Sequence, residues 1–373
     1  MLRLDPARPD PARPEATGPG APASLGPDRP PSDLLEELTQ ACSLSGDEGE
    51  VRAVLRRWLG ETACELYTDN IGNLICRRGQ GPVRVMVAAH MDEVGLVVAG
   101  RDDSGLLRVK ESGGLDVRVL PGRAVLVGRS KVPGVIGAPA VHLLDEDEAE
   151  RVLPSRELYV DIGARSKEEA AGVAAPGDPV YFATAFERLS DRVVKAKALD
   201  DRVGCYVLAR ILLDPERENL TLLGVFTVQE EVGLRGARVA AQHLAPHLAL
   251  AVDGTSAADV PGVEPPQTCT HLGRGPAVSL MDGTIVMHER IREHLVGLAH
   301  RHGVPWQYRR LTTAGTDAGG IFLERTGIPA CTVAVPCRYI HSPASLADLG
   351  DIEHTVTLIR LFLDSLDKGE FEP

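Results

Sequence analysis

The chain has no stretch close to the ~18 consecutive apolar residues that a membrane-spanning helix needs, so no such helix is expected. It has no basic excess: 40 Lys and Arg stand against 53 Asp and Glu, a formal net charge of -13. Non-specific nucleic-acid binding needs basic stripes to neutralise phosphate, and docking on anionic lipid needs a basic face. Neither nucleic acid nor membrane is therefore an expected partner. There is no C-x-x-C pair. The seven cysteines (Cys42, Cys64, Cys76, Cys205, Cys269, Cys331 and Cys337) are odd in number and scattered. A disulfide framework and a zinc knuckle are both unindicated, and a reducing cytosol is the simplest setting. No apolar run of ~7–15 residues opens the chain, so a signal peptide is not expected. What remains is 373 residues, 43% apolar and 25% charged. That is the composition of an ordinary globular protein, long enough for about two domains.

Residues 1–31 hold nine of the 27 prolines and a doubled DPARP, Asp5–Pro9 then Asp10–Pro14. Proline removes amide donors, and little apolar area here offsets ordering entropy, so a disordered tail is expected. Order is expected from Ser32-Asp33, where Asp33 and Glu36 have capping-box spacing and Leu34, Leu35 and Leu38 form a stripe. A second helix is predicted over Glu50–Leu59 and a hairpin over Cys64–Cys76, turning at Asp69-Asn70-Ile71-Gly72-Asn73. Nearly continuous apolar runs follow at Val83–Ala89, Thr221–Val228, Leu248–Val252, Ala277–Met281 and Cys331–Val335. Such runs suit strands buried on both faces. Helical patterns at Asp201–Leu213, Gly236–Leu244, Glu289–His302, Asp317–Arg325 and Ile352–Leu366 separate or follow them. The alternation predicts an α/β/α sandwich around a mostly parallel mixed sheet. Between Val94 and Leu189 the helical signal disappears. Short strands at Leu106–Val109, Arg118–Val127, Leu158–Ile162 and Pro179–Phe182 predict an inserted all-β module over 94–189. The α/β domain then comprises 32–93 and 190–373.

The informative residues stand just past the buried strands. His90, Asp92 and Glu93 follow the first run, Glu230 and Glu231 the second, Asp253 the third, and His341 the last by a short loop. Asp200 and Asp201 precede a helix. In open α/β sheets, ligands bind outside the carboxyl ends of the strands, so these groups should converge on one crevice. Carboxylates gathered there repel one another unless a cation neutralises them. Two histidines with at least three carboxylates match the nitrogen and oxygen ligands of zinc, cobalt or manganese. A pair of such ions lowers the pKa of a water and polarises a carbonyl. One member of Glu230-Glu231 must then stay off the metals to accept the water's proton. Asp92 has the spacing to orient His90 if the backbone turns after the strand. Taken alone, Glu230-Glu231 also suits a solvated surface pair, and Asp200-Asp201 a helix cap.

The segments VAAHMDEVGLVV, KALDDRVG, TVQEEVGLRGA, AVDGTSAAD and RYIHSP resemble the glutamyl-aminopeptidase and tetrahedral-aminopeptidase family of di-metal peptidases. The likeness runs from about Ser32 to the C-terminus and includes LGRGPAVSL, AGTDAGGIF and GGLDVRVLPGRAVLV. The proline-rich tail has no counterpart. The resemblance implies that His90 and Asp253 hold one divalent ion, Glu231 and His341 the other, and that Asp200 bridges them. It further implies that Glu230 is the general base, that Asp92 orients His90, and that short peptides are the substrates. It implies a barrel-like inserted domain that builds dimers, and a homo-oligomer that can reach a dodecamer. Another di-metal amidohydrolase, a deacylase or carboxypeptidase, and a non-catalytic assembly protein retaining the fold are the alternatives. Thr316-Asp317 reads either as a helix N-cap or as a substrate-pocket loop. Arg338-Tyr339 reads either as framing the site or as structural.

Overall fold

The computed structural model describes residues 31–60, 64–145, 150–264, 267–310 and 314–371. Most of the expected tail, residues 1–30, therefore lies outside the described residues. The strands, in chain order, are β1 (Glu65–Thr68), β2 (Leu74–Arg78), β3 (Val83–His90), β4 (Gly95–Arg101), β5 (Leu107–Ser112), β6 (Ala124–Val127), β7 (Val132–Gly137), β8 (Tyr159–Asp161) and β9 (Pro179–Phe182). They continue with β10 (Glu187–Arg188), β11 (Val193–Ala196), β12 (Leu220–Thr227), β13 (Leu248–Ser256), β14 (Ala277–Ser279), β15 (Gln307–Arg309), β16 (Ala330–Arg338) and β17 (Ser345–Asp348).

Two sheets result. The large one runs β1-β2-β12-β3-β13-β16-β17-β11-β10, with β14 and β15 joined alongside β16. Its four central strands, β12-β3-β13-β16, are parallel, while both flanks are antiparallel. The parallel strands are buried almost end to end, which is why each reads as a continuous apolar run. Helices including Leu199–Leu212, Arg235–Leu244, Glu289–His302 and Leu349–Asp367 pack the sheet into one large apolar core. The second sheet closes on itself as a barrel, β4-β5-β8-β7-β6-β9, around its own core of residues such as Leu96, Val125, Ile136 and Val160. It docks on the larger domain through a small cluster of Cys42, Leu44 and Tyr181, whose hydroxyl donates to Asp47. Among the described residues no helix is long and apolar enough to cross a membrane.

Several local expectations shift. The first helix begins at Pro31, so Asp33 lies inside its first turn instead of capping it. The expected strand Arg118–Val127 divides into a 3-10 turn at Val117–Val119, capped by the Asp116 carboxylate, and β6. A short helix, Lys167–Ala171, capped by Ser166, interrupts the stretch expected to hold strands alone. Five residues are too few for a periodic pattern. The helix opening at Asp317 ends at Phe322, three residues early. β10, inside 94–189, is an edge strand of the large sheet.

Candidate metal centre

Strand register sets the site. Thr227 of β12 lies level with His90 of β3, so the segment after β12 enters the crevice beside His90. On the other side Ala251 of β13 pairs with Ala88. Two residues on, Asp253 is level with His90 and on the same face. After Val228, Gln229 takes φ 56, and this left-handed step turns Glu230 and Glu231 toward the ligands. Asn73 of the β1–β2 hairpin holds that turn, accepting from Val228 N at 3.0 Å and donating to the Gly236 carbonyl at 3.0 Å. His341 also sits at positive φ (57), in the loop after β16.

The residues come together as follows. Asp200 lies between the histidines, Oδ1 3.2 Å from His90 Nε2 and Oδ2 3.5 Å from His341 Nε2. Asp253 Oδ1 and Glu230 Oε2 are 3.8 and 3.9 Å from His90 Nε2, and Glu231 Oε2 is 3.8 Å from His341 Nε2. Ligand atoms of Asp200, Glu231 and His341 all lie within 4.8 Å of one another, as do those of His90, Asp201 and Asp253. Asp201 is otherwise engaged, accepting from the His90 and Gly204 backbone amides. It caps the helix while Asp200 faces the crevice. Gly254 allows this approach: a Cβ there would stand 3.1 Å from Asp200 Cα and Cβ.

Asp92 is fully buried. The backbone does turn after β3, and His90 Nδ1 sits 3.1 Å from the Asp92 carbonyl and 3.4 Å from its carboxylate. The carboxylate itself accepts from Glu230 N (3.0 Å), Glu231 N (3.1 Å) and Ser45 Oγ (2.6 Å). It therefore also clamps the backbone of the Glu230-Glu231 turn. Behind it, buried Glu93 accepts from Lys197 Nζ at 2.7 and 2.9 Å, Arg202 Nη2 at 3.2 Å and Ser43 N at 3.0 Å.

The electrostatics are those of a crowded acidic pit. Burial pushes the Glu230 and Asp253 carboxyls well above their usual range, the neighbouring acids adding to it against His90. Burial likewise pushes Glu231 up to about 7, against the pull of His341. For Asp200 burial acts upward too, but the hydrogen bonds from His341 and His90 outweigh it and its pKa falls. Burial would lower His341, yet Asp200 and Glu231 raise it to about 10. A largely buried set of imidazole nitrogens and carboxylate oxygens under mutual repulsion fits zinc, cobalt or manganese.

The groups open into a cavity of about 460 Å³, whose wall beyond the ligands includes Gly114, Leu234, Thr284, Arg309 and Ile340. Thr316 stands at the N-cap position without making a cap bond; its hydroxyl donates to Asp282 and meets Thr332. Asp317 is buried and accepts from Thr227 Oγ1, while its Oδ1 has no hydrogen-bond partner among the described residues. Arg338 pairs with Asp259, at 2.7 and 2.8 Å. Ser45 and Arg309 escaped the sequence reading, and Gly114 enters it only within GGLDVRVLPGRAVLV, with no role. Ser45 and Arg309 carry no local pattern, and the doubled glycine Gly113-Gly114 signals a turn without saying what it turns toward.

The sequence model of the M42 glutamyl aminopeptidase family matches residues 72–358. A putative aminopeptidase of Acetivibrio thermocellus is 38% identical over 328 residues, covering 88% of this chain and 96% of the relative. The crystal structure of a TET aminopeptidase from Thaumarchaeota archaeon SCGC AB-539-E09 superposes with a TM-score of 0.87 at 33% identity, covering 90% of this chain and 96% of that one. The TET1 peptidase of Pyrococcus horikoshii, described as assembling into a tetrahedron or a large octahedral shell, superposes with a TM-score of 0.80 at 34% identity, covering 89% and 99%. Matched over most of its length by the family and its relatives, the chain belongs to the M42 glutamyl aminopeptidase family.

Proposed function

We propose that this chain removes residues one at a time from the free amino end of short peptides, using two divalent ions per subunit. Family and relatives make it a metal-dependent aminopeptidase. The observation that carries the finer reading is Asp200 standing between His90 and His341 with one oxygen toward each. In this reading His90 and Asp253 would hold one ion, Glu231 and His341 would hold the other, and Asp200 would serve both. The donor set suits zinc or cobalt, with manganese also acceptable. Bound, the ions supply Lewis acidity and allow water to attack at neutral pH.

The chain's own residues do the rest. Glu230 borders the same cavity and is clamped by Asp92 through its backbone amide. Its carboxylate, 3.9 Å from His90 Nε2 and outside the assigned ligand set, is placed to take a proton from the attacking water and pass it to the departing amine. Asp92 orients His90 by its carbonyl and carboxylate, leaving Nε2 for the metal. The barrel is read as the dimerisation domain and the chain as a homo-oligomer, a reading supported by the assembling TET1 neighbour. A cytosolic setting is supported by the cysteine usage. The test is Glu230→Gln. Metal content and folding should persist while kcat on unblocked peptides falls by about 10²-fold or more. Unchanged turnover would remove Glu230 from the mechanism.

A further inference from the structure

We propose that the inserted barrel completes one of the two metal sites, with Gly113-Gly114 as its positioning element. This rests on the di-metal reading above. The two histidines are held differently. His90 is 3% exposed and locked inside the α/β domain by Asp92. The His341 side chain is 35% exposed. Its ring is fixed from the barrel: Nδ1 lies 2.6 Å from the carbonyl oxygen of Gly114, just past β5. That acceptor holds the proton on Nδ1 and frees Nε2, which faces Asp200 and Glu231. The same loop holds the His341 backbone, Asp116 N donating to its carbonyl at 3.3 Å.

The adjacent glycine reaches the partner ligand. Gly113 has φ +78, and a Cβ there would lie 3.3 Å from Glu231 Cβ and Oε2 and 2.8 Å from Val94 Cγ1. At Gly114 a Cβ would lie 3.3 Å from His341 Nδ1. Two consecutive residues thus bring barrel backbone onto both outer ligands of the Asp200–Glu231–His341 group. Neither has His90 or Asp253 among the nearest atoms that an added Cβ would meet. The consequence is a selective dependence. Displacing this loop weakens the His341 site and spares the His90 site, so the seating of the barrel sets how firmly the second ion is held.

The test is titration of the metal-free full chain with Co²⁺, followed by calorimetry and visible absorption. His341→Ala identifies the binding step that belongs to its site. Gly114→Ala should raise the dissociation constant of that step about tenfold, the scale of losing an outer-shell partner, and move the other step less than about twofold. In the His341→Ala background, Gly114→Ala should leave the remaining step unchanged, because the two act through one contact. Should Gly114→Ala fold poorly, Asp116→Ala serves: it removes the exposed carboxylate that fixes the turn through Arg118 N. It should weaken the same step by a smaller factor. Equal weakening of both steps, no change in either, or a persisting effect without His341 would overturn the inference while leaving a two-ion wild type intact. A wild type that bound no ion would overturn it together with the reading beneath it.

Discussion

Removing one charge from the buried Glu93 cluster should cost more on the acidic side than on the basic side. Glu93 serves two cations, Lys197 and Arg202, whose side chains are 3% and 0% exposed. Glu93→Gln keeps the shape but leaves both cations buried without a counter-charge. Breaking a buried ion pair in this way costs about 3–5 kcal/mol. Lys197→Met loses two bonds to Glu93 and one to the Ala41 carbonyl, yet leaves Glu93 neutralised by Arg202 and bonded to Ser43 N. Its cost should stay below that of Glu93→Gln, because the charges left behind, Glu93 and Arg202, still neutralise each other. Urea unfolding of metal-free protein would read both as midpoint shifts at constant slope. The loss in Glu93→Gln should also reach the metals, because Arg202 Nη1 donates to the Asp92 carbonyl at 3.2 Å, the group that His90 Nδ1 meets. If Lys197→Met proved as costly as Glu93→Gln, the charge accounting would be refuted.

Three further outcomes are expected. Ser45→Ala deletes the 2.6 Å bond to buried Asp92 and should lower stability by about 1.5–3 kcal/mol, with a fall in kcat visible in peptide assays. Gly254→Ala drives a Cβ against Asp200 and should lower metal affinity at both sites by about tenfold, measured as bound metal after dialysis. Burial pushes the Asp317 carboxyl from 3.8 up to about 6, against His90 and the Thr227 hydrogen bond. Because the folded state favours the protonated form, this group's contribution is fully present below pH ~4 and is lost as pH rises to ~6, about 3 kcal/mol in all. In metal-free protein, Asp317→Asn should therefore gain on wild type by that amount between pH 4 and 6.5; parallel pH profiles would contradict the assignment.

What the sequence alone determined was the order of elements and the places where chemistry could stand. Parallel strands buried on both faces must be apolar along nearly all their length, so Val83–Ala89 or Leu248–Val252 announces itself, and an acid or histidine just beyond marks a strand's carboxyl end. Short elements such as Lys167–Ala171 leave too little periodicity to see. The turn after β3, which brings the Asp92 carbonyl to His90, is likewise decided by long-range bonds from Arg202, Glu230 and Glu231. Only the tertiary structure decided that Asp200 faces the crevice while Asp201 turns inward to cap its helix. Only it brought Ser45 to Asp92, 47 residues apart, and Gly114 to His341, 227 apart. Contacts across such separations depend on how domains seat against each other, and packing of that kind leaves no periodicity in the chain that makes it.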